Sequence, residues 1–126
     1  MRRLLKKYIN FLKQNWVNNN NNKFGLTDRD IKTLTEILCK HTAVSDVVVF
    51  GSRAKGTFKP GSDIDLAVMN DGVNDAEILN IKNDLEESSL PYLVDILNYP
   101  RIRTADLISH IKRIGISFYK KEIVIA

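Results

Sequence analysis

The chain of 126 residues has one cysteine, Cys39, and therefore no intrachain disulfide framework, which fits a reducing cytoplasm. No run of 18 apolar residues occurs, so no membrane span is expected. Aromatic residues make up 8% of the chain and are not interleaved with a basic run, which argues against stacking on single-stranded nucleic acid. The formal net charge is +4, but Arg2, Arg3, Lys6, Lys7, Lys13 and Lys23 hold much of the excess and the remainder is close to neutral. An extended nucleic-acid track, which needs many phosphate contacts, is not expected. His41 has no partner His or Cys at metal-ligand spacing, so a surface or helix-end position suits it, and His110 is expected on the surface of the last helix rather than as a catalytic base. There is no internal repeat.

With 44% hydrophobic residues, the remaining composition is that of one domain with a modest core. Met1 to Lys23 stands apart from it. Leu5, Ile9, Leu12 and Trp16 recur at helical spacing, and five asparagines from Asn18 to Asn22 follow as a linker. This basic extension lacks the apolar core and cleavage site of a secretory signal. A helix docking on the domain or a partner, or an extension without a part in activity, is expected ahead of a membrane-surface helix. Residues 24–126 then form the domain.

The centre of the chain is Val47 to Val68, VVVFGSRAKGTFKPGSDIDLAV. Val47 to Phe50 predicts a short buried strand that stops at Gly51-Ser52, and a second strand opens ten residues later with Asp63-Ile64-Asp65-Leu66. Alternation puts Asp63 and Asp65 on one face, with backbones roughly 6.6 Å apart. Carboxylates so spaced can converge on two divalent cations about 3.5 to 4 Å apart, the clamp of phosphoryl transfer. Oxygen-only ligands favour Mg²⁺, or Mn²⁺, over zinc. Gly51 admits close backbone approach, and Ser52 offers a hydroxyl and an N–H at the start of a helical turn. Arg53 and Lys55 add positive charge, and Gly51, Ser52, Arg53 and Ser62 are the expected nucleotide contacts. A third acid, Asp95, lies in Tyr92-Leu93-Val94-Asp95-Ile96-Leu97. An isolated Asp inside an apolar strand is costly unless paired or metal-bound. A strand that merely begins with acids after a Gly-Ser turn would explain a lone Asp-x-Asp, but not the three features together.

Elsewhere, Thr27 predicts an N-cap for a helix to about His41, with Ile31, Leu34, Ile37 and Leu38 as its core stripe. Cys39 belongs to that pattern as a buried thiol. A second helix spans Ala76 to about Ser89, and a third follows Thr104 and stops at Gly115. Ile116 to Tyr119 adds an edge strand. Helices alternating with short strands predict an α/β sandwich with a mixed sheet, in which adjacent strands bearing Asp65 and Asp95 would gather three carboxylates at one edge.

GSRAKGTFKPGSDIDL followed by VDIL resembles the minimal nucleotidyltransferases of the DNA polymerase beta superfamily, whose signature is Gly-Ser, ten residues, Asp-x-Asp and a later Asp. The resemblance covers about Leu26 to Lys120 and implies the same fold. It implies that Gly51 and Ser52 bind the nucleoside triphosphate, that Asp63, Asp65 and Asp95 hold two metals, and that Asp95 stands beside the acceptor hydroxyl. The reaction implied is attack of that hydroxyl on the α-phosphorus of ATP. Only 31 residues follow Asp95, too few for an acceptor-holding helical domain. The acceptor is therefore expected to be a protein or to be gripped by a second subunit. Small proteins of this kind are typically antitoxins of a HEPN-type toxin, silenced by AMP transfer to a tyrosine or by binding. The alternatives are an aminoglycoside-type adenylyltransferase completed by dimerisation and a non-catalytic toxin-binding subunit.

Overall fold

The computed structural model describes residues 24–121; the amphipathic extension Met1 to Lys23 lies outside the described residues. The elements in chain order are α1 (Asp28–Lys40), β1 (Asp46–Phe50), α2 (Gly51–Lys55), β2 (Ile64–Val68), α3 (Asp75–Glu86) and β3 (Val94–Asn98). A single 3-10 turn (Tyr99–Arg101), α4 (Ala105–Ile114) and β4 (Ile116–Lys120) complete the described chain. They form an α/β fold with one mixed sheet in the order β3-β2-β1-β4. β1 runs antiparallel to both β2 and β4, and β2 runs parallel to β3.

Local chemistry sets the helix ends. Thr27 accepts from the Asp30 backbone N–H while the Asp30 side chain accepts from that of Thr27, a capping box that satisfies two orphan donors of α1. At the other end of α1, His41 occupies the expected helix-end position but is no surface residue. Its side chain is 11% exposed, with Nδ1 3.3 Å from Glu77 Oε2 and Nε2 2.7 Å from Asp84 Oδ2 on α3. Asn74 caps α3 by accepting from the Glu77 N–H. Gly115 ends α4 with an ordinary negative φ, so glycine is needed there for space, not for handedness. A Cβ would press on the Ile111 carbonyl and the Val48 side chain.

Strand alternation divides the core. Val47, Val49, Ile64, Leu66, Val68 and Ile96 point to the face covered by α1 and α3, where Ile31, Leu34, Leu38, Ile78, Ile81 and Leu85 are buried against them. Each such side chain contributes about 1.5 to 3 kcal/mol by leaving water. On the opposite face α4 packs Ile111 and Leu107 against Phe50, Ala67, Val48 and Leu97. That cover reaches only the part of the face bearing those residues. Cys39 is half-buried and receives the Tyr119 hydroxyl at 3.6 Å; burial pushes its thiol above the usual range. Among the described residues no helix is long and apolar enough to cross a membrane.

Candidate active site

The odd-numbered positions of β2 and β3 and the even-numbered positions of β1 share the face that α4 only partly covers. Two pairings fix the central row. Phe50 opposes Asp65 across the antiparallel β1–β2 pair, and Asp65 opposes Asp95 across the parallel β2–β3 pair. The row therefore reads Phe50, Asp65, Asp95. Asp63 lies one residue before β2 rather than inside it, exposed, and the Ile64 N–H donates to the Leu93 carbonyl at 2.9 Å to continue the ladder there.

Asp65 is the most enclosed of the three acids, and its carboxyl is raised above the ordinary range. Burial is the largest cause, followed by the charges of Asp95 and Asp63; His110 pulls the other way. Asp95 is exposed, because β3 is an edge strand and its start is bare. Desolvation inside an apolar strand thus does not mark Asp95. Its register with Asp65 does.

Gly51 follows Phe50 directly, with φ +71°, and a Cβ on it would overlap Asp65 Oδ2. Both the left-handed backbone and the contact require glycine. Ser52 is the second residue of α2, half-exposed. Arg53, one of the expected nucleotide contacts, is 2% exposed, with its donors turned to backbone carbonyls. Its Nη1 donates to Phe24 O at 2.7 Å, while Nε and Nη2 donate to Ser62 O at 3.1 and 2.8 Å. The guanidinium also lies 4.7 Å from the Tyr92 ring centroid and 5.2 Å from that of Phe58. Arg53 is the clamp that fixes the loop between the Gly-Ser turn and the aspartates. Ser62 is the other half of that clamp, and its hydroxyl accepts from the Lys59 N–H at 2.8 Å.

His110, contrary to a plain helix-surface position, is half-buried on α4 with its ring edge-on to Phe50 at 6.1 Å. It extends the row to His110, Phe50, Asp65, Asp95. No local motif signals it; only the packing of α4 brings it there.

The three carboxylates offer oxygen donors alone, and a cation would offset the mutual repulsion that adds to the burial effect at Asp65, so the donor set fits Mg²⁺. Among the described residues no three of His, Cys, Asp and Glu close round an ion by themselves. A cleft of about 430 Å³ lined by Asp71, Asn74, Asn98 and Arg101 opens at the other end of β3, away from the aspartates.

The sequence profile described as "Polymerase beta, Nucleotidyltransferase" matches residues 32–123. The chain belongs to that family. Its Gly-Ser turn, Asp-x-Asp and later Asp all fall within the matched residues. A solved structure similar in fold is described as "Crystal structure of the toxin-antitoxin with AMP-PNP". It superposes with a TM-score of 0.60 at 20% identity, over 74% of this chain and 75% of that one. At that identity the likeness is one of fold. No curated protein matches the chain.

Proposed function

We propose that this nucleotidyltransferase transfers AMP from ATP to a hydroxyl of a partner protein, a tyrosine of a HEPN-type toxin, and so acts as the antitoxin of a pair. The observation that carries the reading is the pairing of Asp65 with Asp95 beside Gly51, where backbone and carboxylates meet on an open surface. Family membership supports the reaction class. The toxin-antitoxin neighbour with its ATP analogue supports the nucleotide and the kind of partner.

In the reaction the acceptor oxygen forms a bond to the α-phosphorus, and the bond from that phosphorus to the pyrophosphate oxygen breaks. Pyrophosphate leaves with the electron pair. Asp95 orients the acceptor hydroxyl and takes its proton. Asp63, Asp65 and Asp95 would hold two Mg²⁺ ions, for which Mn²⁺ can substitute. When bound, the ions neutralise the triphosphate and lower the acceptor pKa. Gly51 leaves room for the triphosphate, and Ser52 contributes a hydroxyl.

The test is capture of co-purifying proteins from the native host with ATP and Mg²⁺, followed by mass spectrometry for an AMP adduct on tyrosine. Asp95→Asn should retain the partner and MgATP but lose the adduct, and with it inhibition of the partner. Full inhibition by Asp95→Asn with no modified tyrosine would leave a binding antitoxin. Adenylylation of a small hydroxylated antibiotic, with no protein adduct, would make the enzyme an aminoglycoside-type transferase.

A further inference from the structure

Two large apolar side chains are prominently exposed among the described residues, and one of them, Leu93, stands at the site. Leu93 is 75% exposed and belongs to neither hydrophobic cluster. Its neighbours Tyr92 and Val94 pack against the α1/α3 side, so alternation turns Leu93 to the other face, that of Asp95 and Leu97. α4 covers Leu97 but not the start of β3. Continuing the β2–β3 register one step from the Ile64–Val94 pair places Leu93 beside Asp63. The bare half of this face therefore presents an apolar side chain about 6.6 Å along the strand from the Asp95 carboxylate.

We propose that Leu93 is the specificity contact for the acceptor, a plate on which the aromatic ring of a tyrosine rests while its hydroxyl meets Asp95. This rests on the proposed transfer to a tyrosine hydroxyl and assigns the side chain that recognises its ring. A group with an apolar body and a hydroxyl at one end matches a leucine followed at the next same-face position by a carboxylate; a phenol has that form, whereas serine lacks the body and a sugar carries hydroxyls all round its ring. An exposed leucine at the mouth of an edge strand is otherwise a liability for association, which an occupant removes.

The experiment compares AMP transfer from MgATP to N-acetyltyrosinamide and to N-acetylserinamide, by the full chain and by Leu93→Ser. The exposed position lets the variant fold, which an unchanged thermal midpoint verifies. Leu93→Ser should lower kcat/KM about tenfold for the tyrosyl acceptor while leaving the seryl acceptor within about twofold. MgATP affinity should stay as in the parent. Equal losses on both acceptors, or none on either, overturn the assignment. A loss of MgATP affinity instead gives Leu93 to the nucleobase and overturns it too. Transfer to neither acceptor by the parent chain, nor to any captured protein, overturns the transfer reading itself and this inference with it.

Discussion

Asp65 and Asp95 are register partners on adjacent parallel strands, so two carboxylates from separate segments of the chain stand side by side on one sheet face. Neither acid has a basic hydrogen-bonding partner among the described residues, and His110 offsets only part of the rise at Asp65. The fold thus holds negative charge together instead of neutralising it. In the proposed reaction a divalent cation bridging to phosphate would offset that charge.

Asp63→Asn and Asp65→Asn are each expected to lower AMP transfer by roughly a thousandfold or more, because the triphosphate charge is left poorly neutralised. Circular dichroism should be unchanged. Near-parental transfer by both variants would remove these acids from the reaction.

The raised Asp65 carboxyl has a consequence for stability. A folded-state pKa above the unfolded value means that the native state binds the proton more tightly. Stability from this group is therefore greatest below the ordinary carboxylate range and declines as pH rises from that range through the raised value. Asp65→Asn should have a higher Tm than the parent at pH 7 without divalent cations, and the gap should close below about pH 4. A gap independent of pH would show that the shift does not act on folding.

Gly51→Ala places a side chain at φ +71° and against Asp65 Oδ2. Urea titration should show destabilisation of about 1 to 3 kcal/mol, and transfer should fall with displacement of the Asp65 carboxylate. An unchanged midpoint with full transfer would show that the turn tolerates a Cβ.

Arg53→Met removes the donors to Phe24 O and Ser62 O and leaves those carbonyls unsatisfied, with an expected loss of about 2 to 4 kcal/mol. Arg53→Lys should also destabilise, since an ammonium cannot span both carbonyls and stack between the rings. MgATP affinity of the folded protein should change by no more than about threefold. Parental stability with lost nucleotide binding would return Arg53 to the phosphates.

Much of this protein is written in segments short enough to read. The Thr27 cap, the stripe Ile31, Leu34, Ile37 and Leu38, and the alternation through Ile64, Asp65, Leu66 depend on residues a few positions apart, and the structure keeps them. Their periodicity fixes the helices and the strands without reference to the rest of the chain. Boundaries moved by a few residues: β3 opens at Val94 rather than Tyr92, because Tyr92 turns to stack on Arg53.

Other features exist only after distant segments meet. Arg53 reads as a free cation in sequence, yet Phe24, Phe58, Ser62 and Tyr92 close round it from separate parts of the chain. Asp95 reads as an acid buried in an apolar run, yet the strand order puts it on an exposed edge. Neither His110 nor Leu93 carries a local signal, because one is drawn to the site and the other left bare by how far α4 extends over the sheet. Side-chain direction is a local property of the backbone, whereas burial is set by whatever else packs there, and that second quantity was decided by the tertiary structure alone.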